Sequence, residues 1–110
     1  MPDKAWKAFE RRMAPRFPNG KRRGADFGGG AKGGGKSDII CDGWAPELKL
    51  LGAPTYGAML AACKQAERNA APSQIPIAIV KRKNAEDKDA LVVMRFAEFE
   101  QWYLPGNPEP

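Results

Sequence analysis

Between Gly28 and Lys36 the chain reads GGGAKGGGK, a run of nine residues with six glycines and almost nothing that a core can bury. Ordering such a run loses more conformational freedom than its contacts return, so it predicts a flexible loop carrying Lys32 and Lys36. A chain of 110 residues buries only about two-thirds of the surface its unfolded form exposes. The expectation is a single domain over residues 1–104, with the loop at 28–36 inside it and an unstructured tail at 105–110.

Before the loop, Trp6, Phe9 and Met13 recur at i, i+3 and i+7, with Asp3 placed to cap and Pro15 to end a helix from Asp3 to Ala14. Lys4, Lys7, Arg11 and Arg12 fall elsewhere on the cylinder, but Glu10, four residues after Trp6, shares the apolar sector. A carboxylate aimed inward needs a reason. Pro18, Asn19 and Gly20 mark a turn, and part of the stretch from Gly20 to Phe27 suits a short edge strand. After the loop, Ser37 to Cys41 and Glu47 to Leu51 read as a hairpin-like pair of strands about the Asp42-Gly43 turn. Thr55 caps a helix running to about Ala70, with Tyr56, Met59, Leu60, Cys63 and Ala66 inward. Ile75 to Lys81 is a buried strand, Arg82 to Asp89 a loop, Ala90 to Arg95 a strand, and Phe96, Phe99 and Tyr103 mark a terminal helix. This order specifies the α/β (α+β) class, a small mixed sheet flanked by helices. Trp6, Phe9, Phe96, Phe99 and Trp102 are expected in the core, and any apolar face left on the terminal helix is a candidate dimer contact.

The chain contains no histidine, which excludes Ser-His-Asp and Cys-His hydrolysis and His-ligated zinc. Cys41 and Cys63, 22 residues apart, have no companion ligands and read as buried thiols of a reducing compartment. No apolar stretch near the N-terminus resembles a signal-peptide core, and the longest apolar run, Ile75 to Val80, is far short of a membrane span. A cytoplasmic protein is expected, with no membrane partner. The net charge of +5 is unevenly spread: residues 1–36 carry +7 and residues 37–110 carry −2. A basic arm before a mildly acidic body attracts polyanions, among which nucleic acid is the most abundant in a cytoplasm.

Gly30 to Ser37 matches the phosphate-binding template G-x-x-x-x-G-K-[ST]. That loop functions between a buried strand and a helix N-terminus, whereas here the strand-like SDIIC follows it. No nucleotide cofactor is expected. A second pattern combines Asp38 with Glu47-Leu48-Lys49. On a strand Glu47 and Lys49 share one side while Leu48 turns to the core. If the neighbouring strand brings in Asp38, two carboxylates meet, and they repel unless a cation neutralises them. Mg²⁺ (or Mn²⁺), held by one or two carboxylates plus a substrate phosphate, fits that need. Lys49 can then orient the water that attacks phosphorus and offset charge on the transition state.

Glu10 in a first helix, a basic stretch, Ser37-Asp38-Ile39-Ile40, Glu47-Leu48-Lys49 and a helix carrying Gln65 together resemble the PD-(D/E)xK nuclease superfamily. Within it, the chain is most similar to the small Holliday junction resolvases of archaeal type and their phage-encoded relatives. The resemblance covers roughly Ala5 to Val80, and Ser37 stands where the pattern usually has Pro. It implies a restriction-endonuclease-like core of order αβββαβ. It further implies Asp38, Glu47 and the Leu48 carbonyl as metal ligands, Lys49 positioning the nucleophilic water, Glu10 acting through a second metal or its waters, and Gln65 as a polar group of the site. Arg22 and Arg23 fall where the family uses basic residues against the DNA backbone. The implied protein is a homodimer cutting branched DNA, in a host cytoplasm if phage-encoded.

Each residue also has a plainer reading. Glu10 can be a helix-rim charge, and Gln65 an exposed helix residue. Arg11, Arg12, Arg22, Arg23, Lys32 and Lys36 read as backbone binders, and the run Lys81-Arg82-Lys83 as either a DNA contact or a solvated hairpin end. Two other functions compete with a nuclease of this kind. One is a non-catalytic basic nucleic-acid-binding module. The other is an acidic-cluster nuclease of the ribonuclease H type, which makes no demand on Lys49.

Overall fold

The computed structural model describes residues 4–23 and 35–106. Asp3, Lys32, most of the glycine-rich run and residues 107–110 lie outside them. Helix α1 (Ala5–Met13) starts at Lys4, whose side chain makes no cap, and passes into a 3₁₀ turn over Ala14–Arg16. The chain then reverses through Asn19, at φ 53°, and Gly20. A Cβ at Gly20 would lie 1.9 Å from the Ala14 carbonyl oxygen, so only glycine fits there. Strand β1 (Lys21–Arg22) follows, antiparallel to β2 (Ile39–Ile40).

After the Gly43 turn, at φ 84°, comes β3 (Trp44–Leu51), longer than expected because it includes Pro46. Helix α2 (Tyr56–Asn69) begins at the Thr55 cap, whose hydroxyl accepts the Ala58 N–H at 3.1 Å. It crosses over to β4 (Ile75–Arg82), which lies parallel to β3, and β5 (Leu91–Val93) closes the sheet antiparallel to β4. Helix α3 (Phe96–Tyr103) is the last element among the described residues. The protein is therefore α+β, with a mixed sheet of order β3-β4-β5 and a two-stranded ribbon flanked by three helices.

The sheet separates two cores. Ala62 and Cys63 of α2 pack with Ala78 and Val80 on one face. On the other, Phe9 and Met13 of α1 pack with Ile39, Leu48, Ile77 and Ile79. Alternation along β3 and β4 distributes these residues.

Three expectations need correction. The strand containing Ile39 does not form a hairpin ladder with β3; its ladder partner is β1. A ladder on that edge needs N–H donors from alternate residues of β3. Pro46 has none, and the Leu48 N–H is taken by the Asp38 carboxylate at 2.8 Å. Second, of the aromatics expected in the core only Phe9 is fully buried, whereas Phe96 is 67 % exposed and Trp6 and Phe99 are also exposed. Three strands are too narrow to cover α3, which rests on the sheet through Trp44 and Tyr103, stacked with ring centres 6.4 Å apart. Third, Tyr56 is exposed rather than inward, because the small residues Ala62, Cys63 and Ala66 make the α2 contact. Among the described residues no helix is long and apolar enough to cross a membrane.

Candidate active site

The site is built on the free edge of β3. Gly43 and Leu51 direct their carbonyls to Ile75 and Lys83, so the odd-numbered residues of β3 make the ladder with β4. Even-numbered residues turn their polar backbone outward. The Pro46 carbonyl accepts the Asp38 N–H at 3.1 Å, and the Leu48 N–H donates to Asp38 Oδ2 at 2.8 Å. Within a strand the N–H and C=O of one residue share an edge, so the Leu48 carbonyl lies on the side where Asp38 sits. These two hydrogen bonds register Asp38 against Glu47, its neighbour in space although nine positions away in sequence.

Glu47 is 3 % exposed and its Oε1 accepts from the Asn69 amide at 3.2 Å. Its carboxyl is pushed from an ordinary 4.5 up to about 7, first by burial and then by the negative charge of Asp38, against the opposing Asn69 amide and Lys49 ammonium. Glu10 reaches the same place from α1, with Arg22 Nε donating to its Oε1 at 2.9 Å. Burial, then the charge of Asp38, push the Glu10 carboxyl up, and Arg22 and Lys7 oppose this. Asp38 thus acts on both glutamates.

Glu10, Asp38, Glu47, Leu48, Lys49 and Gln65 line one cleft of about 420 Å³, together with Trp6, Phe9 and Leu50. Every residue singled out for catalysis or metal binding is brought together there, from α1, the approach to β2, β3 and α2. Asn69 and Trp6 were missed. Asn69 lies four residues after Gln65, on the same face of α2, and that spacing was available to find it.

Among the described residues no group of three His, Cys, Asp or Glu side chains forms a metal cage by itself. What the site offers is an all-oxygen set: the Asp38 and Glu47 carboxylates and the Leu48 carbonyl. Burial raises the Glu47 carboxyl most and the neighbouring Asp38 charge raises it further, so a cation placed between the two carboxylates would be stabilising. That set suits Mg²⁺, which retains several waters and needs few protein ligands.

The expected DNA-contacting cations divide. Lys81 is 6 % exposed, donates to Asp87 at 2.8 Å and lies 4.8 Å from the centre of the Phe9 ring, so it serves the core and not a phosphate. Arg12 grips the same Asp87 through two hydrogen bonds of 2.7 and 3.0 Å. Arg22 is turned onto Glu10, and Arg23 donates to the Ser37 and Gly35 carbonyls. Carboxylates and carbonyls left near these arginines by folding claim them first. Arg11, Lys36, Arg82 and Lys83 are exposed. Ser37 leads into β2, not a helix, and its buried hydroxyl donates to the Ile39 carbonyl at 2.8 Å; the rest of the Gly30 to Ser37 pattern lies mostly outside the described residues. No protein-family model, curated protein or solved structure matches the chain.

Proposed function

We propose that this cleft is the active site of a metal-dependent, structure-selective DNA endonuclease of the PD-(D/E)xK kind, acting on four-way junctions as a homodimer. One observation carries the reading: Asp38, Glu47 and Lys49 meet on an open strand edge, with Glu10 and Gln65 lining the same cleft. The element order α, β, β, β, α, β agrees with it. The homodimer follows from the substrate, since paired nicks across a junction require two sites.

Asp38, Glu47 and the Leu48 carbonyl would hold the divalent cation. Such a cation supplies Lewis-acid stabilisation of phosphate charge and makes water more acidic at the site. Lys49, on the same side of β3 as Glu47, orients the attacking water and offsets negative charge gathering on phosphorus. Asn69 holds the Glu47 carboxylate toward the cleft. Glu10, held by Arg22 at 2.9 Å, would act on the site through ordered water rather than as a third carboxylate ligand. The internal pairing of Arg12, Arg22, Arg23 and Lys81 weakens the competing reading of a purely basic binding module.

The test is cleavage of a labelled four-way junction beside a linear duplex of the same arms in Mg²⁺, Mn²⁺ or EDTA. Metal-dependent paired nicks in the junction, lost in Asp38→Asn and Lys49→Ala, are the expected result. Cutting of both substrates removes the junction preference. Tight binding without cleavage removes the enzyme, and cleavage that survives Lys49→Ala favours an acidic-cluster mechanism.

A further inference from the structure

Trp6 is the member of the α1 stripe that the core does not use. Phe9 and Met13 are 1 % and 8 % exposed, whereas Trp6 is 47 % exposed. The stripe outruns the sheet, and its first residue comes to line the cleft that holds Glu10, Asp38, Glu47, Lys49 and Gln65. An indole left half in water forgoes about half of the burial its size would otherwise provide. The Lys7 ammonium stands 5.5 Å from the centre of the ring, and the same ammonium acts on Glu10 by charge. An aromatic plate with a cation beside it can engage a nucleotide through both its parts, the base stacking on the ring and the phosphate meeting the ammonium.

We propose that Trp6 is a stacking platform for an unpaired nucleobase at the cleft, an inference that rests on reading the cleft as the site of phosphodiester cleavage. A base inside a continuous duplex is stacked on both faces and has none to offer. A base at a branch, an end or a single-stranded segment does. Trp6 therefore selects strands by whether their bases are free, with no sequence readout, because every base has a π-face. The substrate class it favours is a nucleotide flanking a branch or a single-stranded stretch.

The experiment compares binding of a short oligothymidylate and an all-abasic strand of equal length in EDTA, where no cleavage competes and the phosphate count is the same. The wild type is expected to prefer the base-bearing strand by roughly 5- to 100-fold. Trp6→Ala should bring the oligothymidylate down to the abasic level and leave abasic binding unchanged, with both strands titrated well below the variant's own melting temperature, and Trp6→Phe should retain part of the preference. Equal wild-type affinity for the two strands overturns the proposal, as does a Trp6→Ala loss shared equally by both. The junction assay separates this from the nuclease reading. Base preference without cleavage removes the nuclease and keeps the platform, and cleavage without base preference does the reverse.

Discussion

Glu47 is the residue on which folding and function pull in opposite directions. Its burial beside Asp38 holds its carboxyl near 7 instead of 4.5, so the folded state binds this proton more tightly than the unfolded chain. Stability from this group is complete below about pH 4.5 and is lost as pH rises through 7. The metal-free protein should accordingly melt lower at pH 8 than at pH 5.5, and Mg²⁺ should restore the difference at pH 8. Thermal denaturation in EDTA across that range checks it, and a flat profile would contradict the buried-carboxylate account. Glu47→Gln keeps the shape and the Asn69 contact while removing the charge. It should raise metal-free stability at pH 8 by about 1–2 kcal/mol and eliminate cleavage. That Glu47 and Lys49 share a side with Leu48 opposed was legible from alternation alone; that Asn69 holds Glu47 was not, because helix and strand are joined only by the packing of α2 on the sheet.

At the scale of elements, the turn at Gly20 and the Asp87 contacts hold the pieces in place. Gly20→Ala would put a methyl 1.9 Å from the Ala14 carbonyl, forcing β1 away from the 3₁₀ turn and Arg22 away from Glu10. We expect a loss of about 2–4 kcal/mol, measured by denaturant unfolding. Asp87 ties Arg12 of α1 and Lys81 of β4 to the loop between β4 and β5, and these two cations hold its carboxyl well below the usual carboxylate range. For a carboxyl lowered in the folded state, the stability it contributes is present above about pH 4 and fades as pH falls below it. Asp87→Asn leaves the Lys81 ammonium buried without its counter-charge and should destabilise by about 3 kcal/mol at pH 7. It should also flatten the acid limb of the melting curve. The loop at Arg82 to Asp89 was visible from its polarity. That its acid would bind an arginine 75 positions away was not, since nothing local to either residue encodes the meeting.

For the whole molecule, the charge asymmetry is real in sequence but partly spent on internal pairing. Arg22 and Arg23, both engaged with protein acceptors, are poor candidates for phosphate contacts, whereas Arg82 and Lys83 stand exposed at the end of β4. Neutralising Arg82 and Lys83 together should lower the slope of log affinity against log salt by about 2; salt titrations of junction binding test this, and an unchanged slope places the nucleic acid elsewhere. The sequence by itself determined the order of elements, the α1 stripe with Glu10 in it, the Thr55 cap and the alternation that sends Glu47 and Lys49 one way and Leu48 the other. All of these follow from spacings within a few residues, which backbone periodicity converts directly into direction. Only the tertiary structure decided that β2 pairs with β1, that Arg12, Arg22, Arg23 and Lys81 are engaged by protein acceptors, and that Trp6 lines the cleft. Those outcomes depend on which hydrogen-bonding groups and how much apolar surface remain once β3 has paired with β4, and no local spacing carries that remainder.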